Sequence, residues 1–600
     1  MNIIGYHPGR DPSACLLQDG RVTAFVEEER LIRYRHATNV FPIRSIDACL
    51  RQGGLTLADI DCFAYGYDGA RFGNGEMAAF YDRLNQRYPP DPGTRAWQRA
   101  NLGRTAHASV QARLANELLR RYGVHDPPPL RCHPHHRSHA VAAFQLSPFE
   151  EALVVIVDGS GEHQCTTVWR GAGEELELIY ERELPHSLGW FYSAVTEYLG
   201  FEAYDGEYKV MGLAAYGRPH PRFRAVLSEV LHAGDEGFDH VVERDYIHNG
   251  PHTYSGRFTD RLVEELGLPP RAHVDPIIPE HEDLAFEAQR ALEEAVLRLL
   301  RRFRETTGLR KLAIGGGVGQ NVKMNGRIRA SGLFDEVFLF PIPADTGTAL
   351  GAALGVHQEI TGSAPRHELE HVYWGPCYSD DEIEAELRRC GVPWEKPARI
   401  DERVADLLAG GRIVGWFQGR MEAGQRALGA RSILADPRSV EIRDRVNAAV
   451  KYREYWRPFC PSMTLEDAGR YVVRPVPAPF MIMAFSATDE AARRIPGVVH
   501  VDGTMRIQTV DSRSNPRFYG VIKAFEARTG IPVLLNTSFN VKGEPIVCSP
   551  RDALRTFWST GLDALAIGSF LLVKPGRGGD GDMPHAGEEG GDRVSPHGAA

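Results

Sequence analysis

Two stretches of the chain, about 150 residues apart, share one layout, and that repeat constrains the fold more than any other feature. The first runs Ile3-Ile4-Gly5-Tyr6, a loop, Ala14 to Leu17, a turn at Asp19-Gly20, and Val22 to Val26. The second runs Leu153 to Val157, a turn at Gly159-Ser160-Gly161, Thr166 to Trp169, a turn at Gly171 to Gly173, and Leu176 to Tyr180. Each reads as strand, loop, strand, hairpin, strand. The alternative is two unrelated hairpins.

Two three-stranded units, each followed by helices, are also the layout of actin-like ATP-binding folds, in which the first turn of each unit grips phosphate. The second unit carries chemistry at that turn. Leu153 to Val157 is an unbroken apolar run, as expected of a strand buried on both faces, and it ends in Asp158-Gly159-Ser160-Gly161-Glu162. Carboxyl ends of such strands are where open α/β sheets place ligands. Just upstream, His135 and His139 are spaced to share one helix face. Alone, such a pair is ordinarily a surface or core feature; as a metal clamp it needs further ligands. Lys311 to Ile314 reads as a second buried strand, followed by Gly315-Gly316-Gly317-Val318-Gly319-Gln320-Asn321, a turn that lets backbone approach a nucleotide. A third strand, Glu336 to Phe340, precedes Asp345, which is either the missing ligand or the N-cap of the next helix. Glu282 to Phe303 has the apolar spacing of a core-facing helix.

From Glu359 to about Asp381 this organisation breaks, and it restarts at Ile383, which places a boundary between residues 1–362 and 363–575. The second part reads as α/β, with strands at Arg412 to Phe417, Phe480 to Phe485 and Pro532 to Leu535, and a helix near Val440 to Val450. Residues 576–600 have almost no apolar side chains and are expected to be disordered. A net charge of -10 argues against a nucleic-acid partner. The nine cysteines contain no C-x-x-C pair, which fits a reducing cytosol better than a disulfide or zinc framework. No signal peptide pattern or long apolar span is present, so neither export nor membrane insertion is expected.

The second part also gathers cations among glycines, at Gly419-Arg420, Gln425-Arg426-Ala427-Leu428-Gly429-Ala430-Arg431 and Lys451-Tyr452-Arg453-Glu454-Tyr455-Trp456-Arg457. They read as a polyanion pocket or as solvated surface charges. Arg506 in a polar run and Asn536-Thr537-Ser538-Phe539-Asn540 after a buried strand favour the pocket.

Taken together with Val26-Glu27-Glu28-Glu29-Arg30 and Asp205-Gly206-Glu207-Tyr208-Lys209-Val210-Met211-Gly212, these motifs resemble the O-carbamoyltransferases of the NodU/CmcH/TobZ type, which tailor nodulation factors, cephalosporins and aminoglycosides. The resemblance covers nearly everything before residue 576. It implies an N-terminal actin-like (ASKHA, TsaD-like) duplicated domain followed by a YrdC-like twisted α/β domain. The YrdC-like domain would convert carbamoyl phosphate and ATP, the latter with Mg2+, into carbamoyl adenylate. The TsaD-like domain would then carbamoylate a hydroxyl of a natural-product-type small molecule, as in antibiotic biosynthesis.

Carried over by position, His135, His139, Asp158 and Asp345 match the family's Fe(II) or other divalent-metal ligands. Arg426, Lys451, Arg457 and Arg506 match the positions around carbamoyl phosphate and the ATP phosphates, with Asn536 and Ser538 as nucleotide-side polar groups. Gly316, Gly317 and Asn321 match the adenosine side, and Gly159, Ser160 and Gly161 the phosphate-facing turn. One departure is Arg10, which stands where many relatives have a histidine near the acceptor, so the general base is left open between His7, His36 and no side chain. Arg35 likewise replaces a usual lysine. HypF-like or tRNA-threonylcarbamoyl-type enzymes are the same-chemistry alternative, but neither zinc-finger and acylphosphatase modules nor a basic docking surface is evident. A non-catalytic ATP-binding regulator is the alternative from another class. Acceptor identity and oligomeric state are not legible.

Overall fold

Three larger sheets organise the molecule, which a computed structural model describes at residues 1–248, 256–364, 366–454 and 456–575. The segment 576–600, expected to be disordered, lies outside the described residues. In the first sheet, β1 (Asn2–His7), β2 (Ser13–Gln18), β3 (Arg21–Glu27), β4 (Cys62–Tyr65) and β5 (Leu130–Cys132) lie in the order β3-β2-β1-β4-β5. The second holds β6 (Glu151–Val157), β7 (Gln164–Ala172), β8 (Glu175–Glu183), β9 (Lys311–Gly315) and β10 (Glu336–Leu339) in the order β10-β9-β6-β7-β8. Each sheet has a hairpin on one side of its first strand and parallel strands on the other. The repeat read from the sequence is therefore a repeat of sheet order. It puts the ends of β6 and β9, with Asp158 and the glycine turn, side by side.

The third sheet runs Gln508–Val510, Cys460–Thr464, Val533–Ser538, Arg431–Ala435, Val414–Phe417, Ala564–Ile567, Phe570–Val573. One expected strand is absent: of Phe480 to Phe485 only the last residue pairs, in the short strand Phe485–Ser486. Prolines 477 and 479 remove backbone donors just before it, and Met481 adopts a left-handed backbone with φ 54°. The run is apolar because it packs on the N-terminal half: Ile482 O accepts from Asn325 Nδ2 at 2.8 Å, and Ala484 N donates to Val322 O at 3.0 Å. The helix expected near Val440 to Val450 is an α-helix over Val440–Val446 that widens into a π-turn at Asn447–Lys451. Such turns re-aim side chains at functional sites, and this one presents Lys451.

One apolar core crosses both halves, from Val155 and Ile314 to Val414 and Leu535. Polar bridges reinforce it. Gly424 N donates to Glu27 Oε1 at 2.6 Å, and Arg30 Nη2 donates to Gly424 O at 3.0 Å. Arg33 Nη2 reaches Pro545 O at 2.8 Å. The Glu-rich run before Arg30 is thus a clamp between halves.

Two outcomes follow from this packing. A Cβ at Gly351, on the helix Thr348–Thr361, would come 1.9 Å from Ser138 O on the helix His135–Gln145. Gly351→Ala is expected to lower unfolding stability by about 1–3 kcal/mol, read by urea denaturation. Burial pushes Glu27 up to about 7 from 4.5, with Arg30 opposing. A carboxyl raised on folding binds more protons in the native state, so its contribution to stability declines as pH rises from about 4.5 to about 7. Glu27→Gln keeps an acceptor for Gly424 and is expected to flatten that part of the pH–stability curve; an unchanged slope contradicts it.

Candidate active site

Helix His135–Gln145 carries both imidazoles, Asp158 directly follows β6, and β10 leads into the turn that begins at Asp345. The fold brings the four side chains together, with one ligand atom from each all within 4.8 Å of one another. His135 Nε2 lies 3.1 Å from Asp158 Oδ2 and 3.6 Å from Asp345 Oδ1. His139 Nε2 lies 3.7 and 3.8 Å from the same oxygens, and 3.2 Å from His135 Nε2. Two ring nitrogens facing each other between two carboxylates are a donor set for a borderline divalent cation. The outer contacts fit that use: His135 Nδ1 donates to Gly66 O at 3.0 Å, so Nε2 is the nitrogen turned toward the cluster. Asp158 Oδ1 accepts from Gly317 N at 2.8 Å, joining the glycine turn to the cluster. Burial alone would raise Asp158, but hydrogen bonds from His135 and His139 hold it well below the usual carboxylate range. Burial lowers His135, yet Asp345 and Asp158 keep it well above its ordinary value. The N-cap alternative for Asp345 fails, because Ala344 occupies the cap position and no side-chain cap bond forms there.

Among the glycines, Gly317 and the Gly159–Gly161 turn line the adjoining cavity. Gly316 does not; its φ is 84°, and a Cβ there would come 2.3 Å from Val157 O, so the glycine serves close packing against β6. Asn321 touches the cavity, but its amide is taken up by Met324 N and Gln289.

The same cavity is lined by Arg426, Lys451, Arg453, Arg457 and Arg506. Burial, then Arg506, pushes Arg426 down to about 9; burial, then Arg457, does the same to Arg453. Lys451 falls well below its usual value through burial and through Arg453 and Arg457. Its Nζ donates to Ser538 O at 2.9 Å and Asn540 Oδ1 at 2.7 Å, so oxygens that carry no net charge hold it in place. Arg457 pairs with Glu454 at 3.5 Å, whereas Arg426 has no carboxylate partner among the described residues. Crowded cations with so little counter-charge are stabilised by a polyanion. Arg453 is not singled out by the sequence, although it lies between Lys451 and Arg457; only its burial marks it out. Arg420 and Arg431 belong to the scaffold. Arg431 is wholly buried over the Phe417 ring and donates to the carbonyls of Gln418, Ala430, Pro376 and Gly419.

One cavity of about 1330 Å³ is lined both by Asp158 and Asp345 and by Arg426, Lys451 and Ser538. Single-ligand pockets hold roughly 300–1,000 Å³, so this one has room for more than one ligand. His36 is fixed between Asp11 at 2.7 Å and Asp205 at 3.1 Å; burial opposes them, yet these bonds raise it to about 9. His7 is buried at the cavity wall, where burial pushes it down and its Nε2 has no partner among the described residues. Arg10 leans on Glu202, 3.4 Å away.

A carbamoyltransferase N-terminus model matches residues 2–354, and a carbamoyltransferase C-terminus model matches residues 405–574. Nodulation protein NolNO of Sinorhizobium fredii is 40% identical over 575 residues, covering 94% of this chain and 79% of its own. Nodulation protein NolO of Bradyrhizobium diazoefficiens is 40% identical over 446 residues, 73% of this chain and 78% of its own. Among solved structures, the activator of the 2-hydroxyisocaproyl-CoA dehydratase from Clostridium difficile with bound ADPNP aligns at a TM-score of 0.32 and 13% identity, over 60% of this chain and 96% of that one.

The donor set leads to an expectation about metal content. Protein reconstituted with Fe(II) is expected to bind one equivalent by elemental analysis, and Asp158→Asn to weaken binding by more than the roughly 10–100-fold typical of outer-shell changes. Wild-type protein without bound metal contradicts this.

Proposed function

The chain belongs to the carbamoyltransferase family, and from that premise we propose that it is an ATP-dependent O-carbamoyltransferase acting on a hydroxyl of a natural-product-type small molecule in the cytoplasm. In this reading residues 1–362 form the actin-like, duplicated TsaD-like domain and residues 363–575 the YrdC-like domain. The repeated sheet order supports the first assignment.

The observation that carries the reading is one cavity lined by crowded cations and by Asp158 and Asp345 of the metal-type donor set. At the basic patch, Arg426, Lys451, Arg453, Arg457 and Arg506 neutralise the phosphates of carbamoyl phosphate and Mg-ATP while water splits carbamoyl phosphate into carbamate and phosphate and a carbamate oxygen attacks the ATP α-phosphate, forming carbamoyl adenylate and releasing pyrophosphate. Ser538 helps to hold Lys451 in position for this role. At the metal-type donor set, His135, His139, Asp158 and Asp345 would hold Fe(II) or another divalent cation, which supplies Lewis-acid polarisation and orientation when bound. Gly317 N–H fixes the Asp158 carboxylate, and the helix carrying the histidines sets their spacing. The Gly159–Gly161 turn faces the nucleotide phosphate. Keeping the mixed anhydride inside one cavity limits its hydrolysis.

The test separates the half-reactions. With ATP and carbamoyl phosphate the protein is expected to release pyrophosphate, and Arg426→Ala to slow that release by about 10²–10³-fold. Asp158→Ala is expected to leave pyrophosphate release largely intact while abolishing carbamoyl addition across a panel of hydroxylated scaffolds, read by mass. No pyrophosphate from the wild-type protein, or loss of both half-reactions in Asp158→Ala, contradicts the reading.

A further inference from the structure

Between residues 92 and 116 the chain holds four arginines and no carboxylate, although its net charge is -10. Two of the four, Arg104 on the helix Pro92–Thr105 and Arg113 on the helix His107–Tyr122, are exposed and line the cavity. Exposed arginines are ordinarily solvated and contribute little. These two differ in how they are held. Arg104 Nη2 donates to Asn101 Oδ1 at 3.0 Å, and Asn101 Nδ2 in turn donates to the Tyr81 hydroxyl at 2.9 Å. Arg113 lies over the Phe41 ring, 5.5 Å from its centre. Neither guanidinium has a carboxylate within ion-pair distance among the described residues. Carboxylates on the same cavity are already matched: Glu162 accepts from His135 N at 3.0 Å and from Asp68 N at 2.7 Å, and Glu202 pairs with Arg10 at 3.4 Å. The unmatched charge on this wall is therefore positive.

Aromatic rings accompany it. Tyr67, Phe72, Tyr81 and Trp97 line the cavity and belong to one apolar cluster, with Tyr81 and Trp97 centred 6.2 Å apart. On the helix Pro92–Thr105, Trp97, Asn101 and Arg104 are spaced by four and then three residues, which puts ring, amide and guanidinium on one face. The rings reach the metal-type donor set. Tyr67 lies 4.3 Å from the His135 ring and stacks on Tyr65 at 5.8 Å. Burial raises the Tyr65 phenol, and Arg104 and Arg113 both act against that rise, so both guanidiniums are within electrostatic reach of this one side chain. A molecule whose hydroxyl sits beside His135 thus has rings along its length and two free cations farther out.

We propose that the acceptor is a ring-bearing small molecule with an anionic group, a carboxylate or a phosphate, which Arg104 and Arg113 take while its hydroxyl points toward His135. Guanidinium forks match both anions, and ring faces match the flat apolar face of a sugar or an aromatic scaffold. This rests on the reading above that places carbamoyl transfer at the His135 side, and it names the acceptor class that the reading leaves open.

The experiment titrates the full chain by calorimetry, without ATP or carbamoyl phosphate, using matched probes: phenyl β-D-glucoside, its 6-phosphate, phenyl β-D-glucuronide and phenyl β-D-glucosaminide. The phosphate or the glucuronide is expected to bind at least about tenfold more tightly than the neutral glucoside, and the glucosaminide more weakly than it. Whichever anion binds more tightly tells phosphate from carboxylate, and either supports the proposal. Arg104→Ala and Arg113→Ala are each expected to remove most of the preference for the anion. Arg104→Glu is expected to turn the preference toward the glucosaminide, a gain that a misfolded variant does not produce. Equal binding of the probes, tightest binding of the glucosaminide, no binding of any probe, or a preference unchanged in the variants overturns the proposal. Failure of the wild type to release pyrophosphate once ATP and carbamoyl phosphate are supplied is a different result, and it contradicts the proposed function itself.

Discussion

A carboxylate only 4% exposed stays ionised if its neighbours supply donors and positive charge, and the arrangement around Asp158 does both. One oxygen takes the Gly317 N–H while the other faces two imidazoles. That single residue therefore joins the end of a buried strand, a glycine turn from the neighbouring strand and a helix packed across the sheet. The parallel pairing of β6 with β9 is what puts the turn within reach. The close approach of Gly351 to Ser138 is what brings the helix near Asp345.

The opposite imbalance prevails among the cations that line the cavity, where burial first and mutual repulsion second depress Arg426, Arg453 and Lys451. A protein tolerates such a cluster when a ligand completes it. Glu27 and Arg30 bond to Gly424 across the two halves, and residues of both halves line the one cavity. In the proposed reading this contrast divides the chemistry, with the polyanion taken by the arginines and Lys451 and a cation by His135, His139, Asp158 and Asp345.

Much of this is legible in the residues because it depends on local pattern. Strand-end aspartates, the histidine spacing and the glycine turns are short-range signals that make His135, His139, Asp158 and Asp345 candidates, and the family resemblance joins them into the set that the fold brings together. Legibility fails where long-range packing decides. Phe480 to Phe485 has the apolarity of a strand but serves as a wall against the N-terminal half, a role set by Asn325 and Val322 more than 150 residues away. Gly316 and Gly317 look alike in sequence, yet one packs against β6 and the other donates to Asp158. Arg431 and Arg426 share a motif, and only burial and partners separate a scaffold guanidinium from one facing the cavity.

The central claim is that both groups of residues serve one intermediate that stays with the chain. Radiolabelled carbamoyl phosphate and ATP, mixed with the metal-loaded protein and passed rapidly through a gel-filtration column without acceptor, test it most directly. The account predicts that labelled carbamoyl adenylate emerges with the protein; label found only as free adenylate in the small-molecule fraction would contradict it.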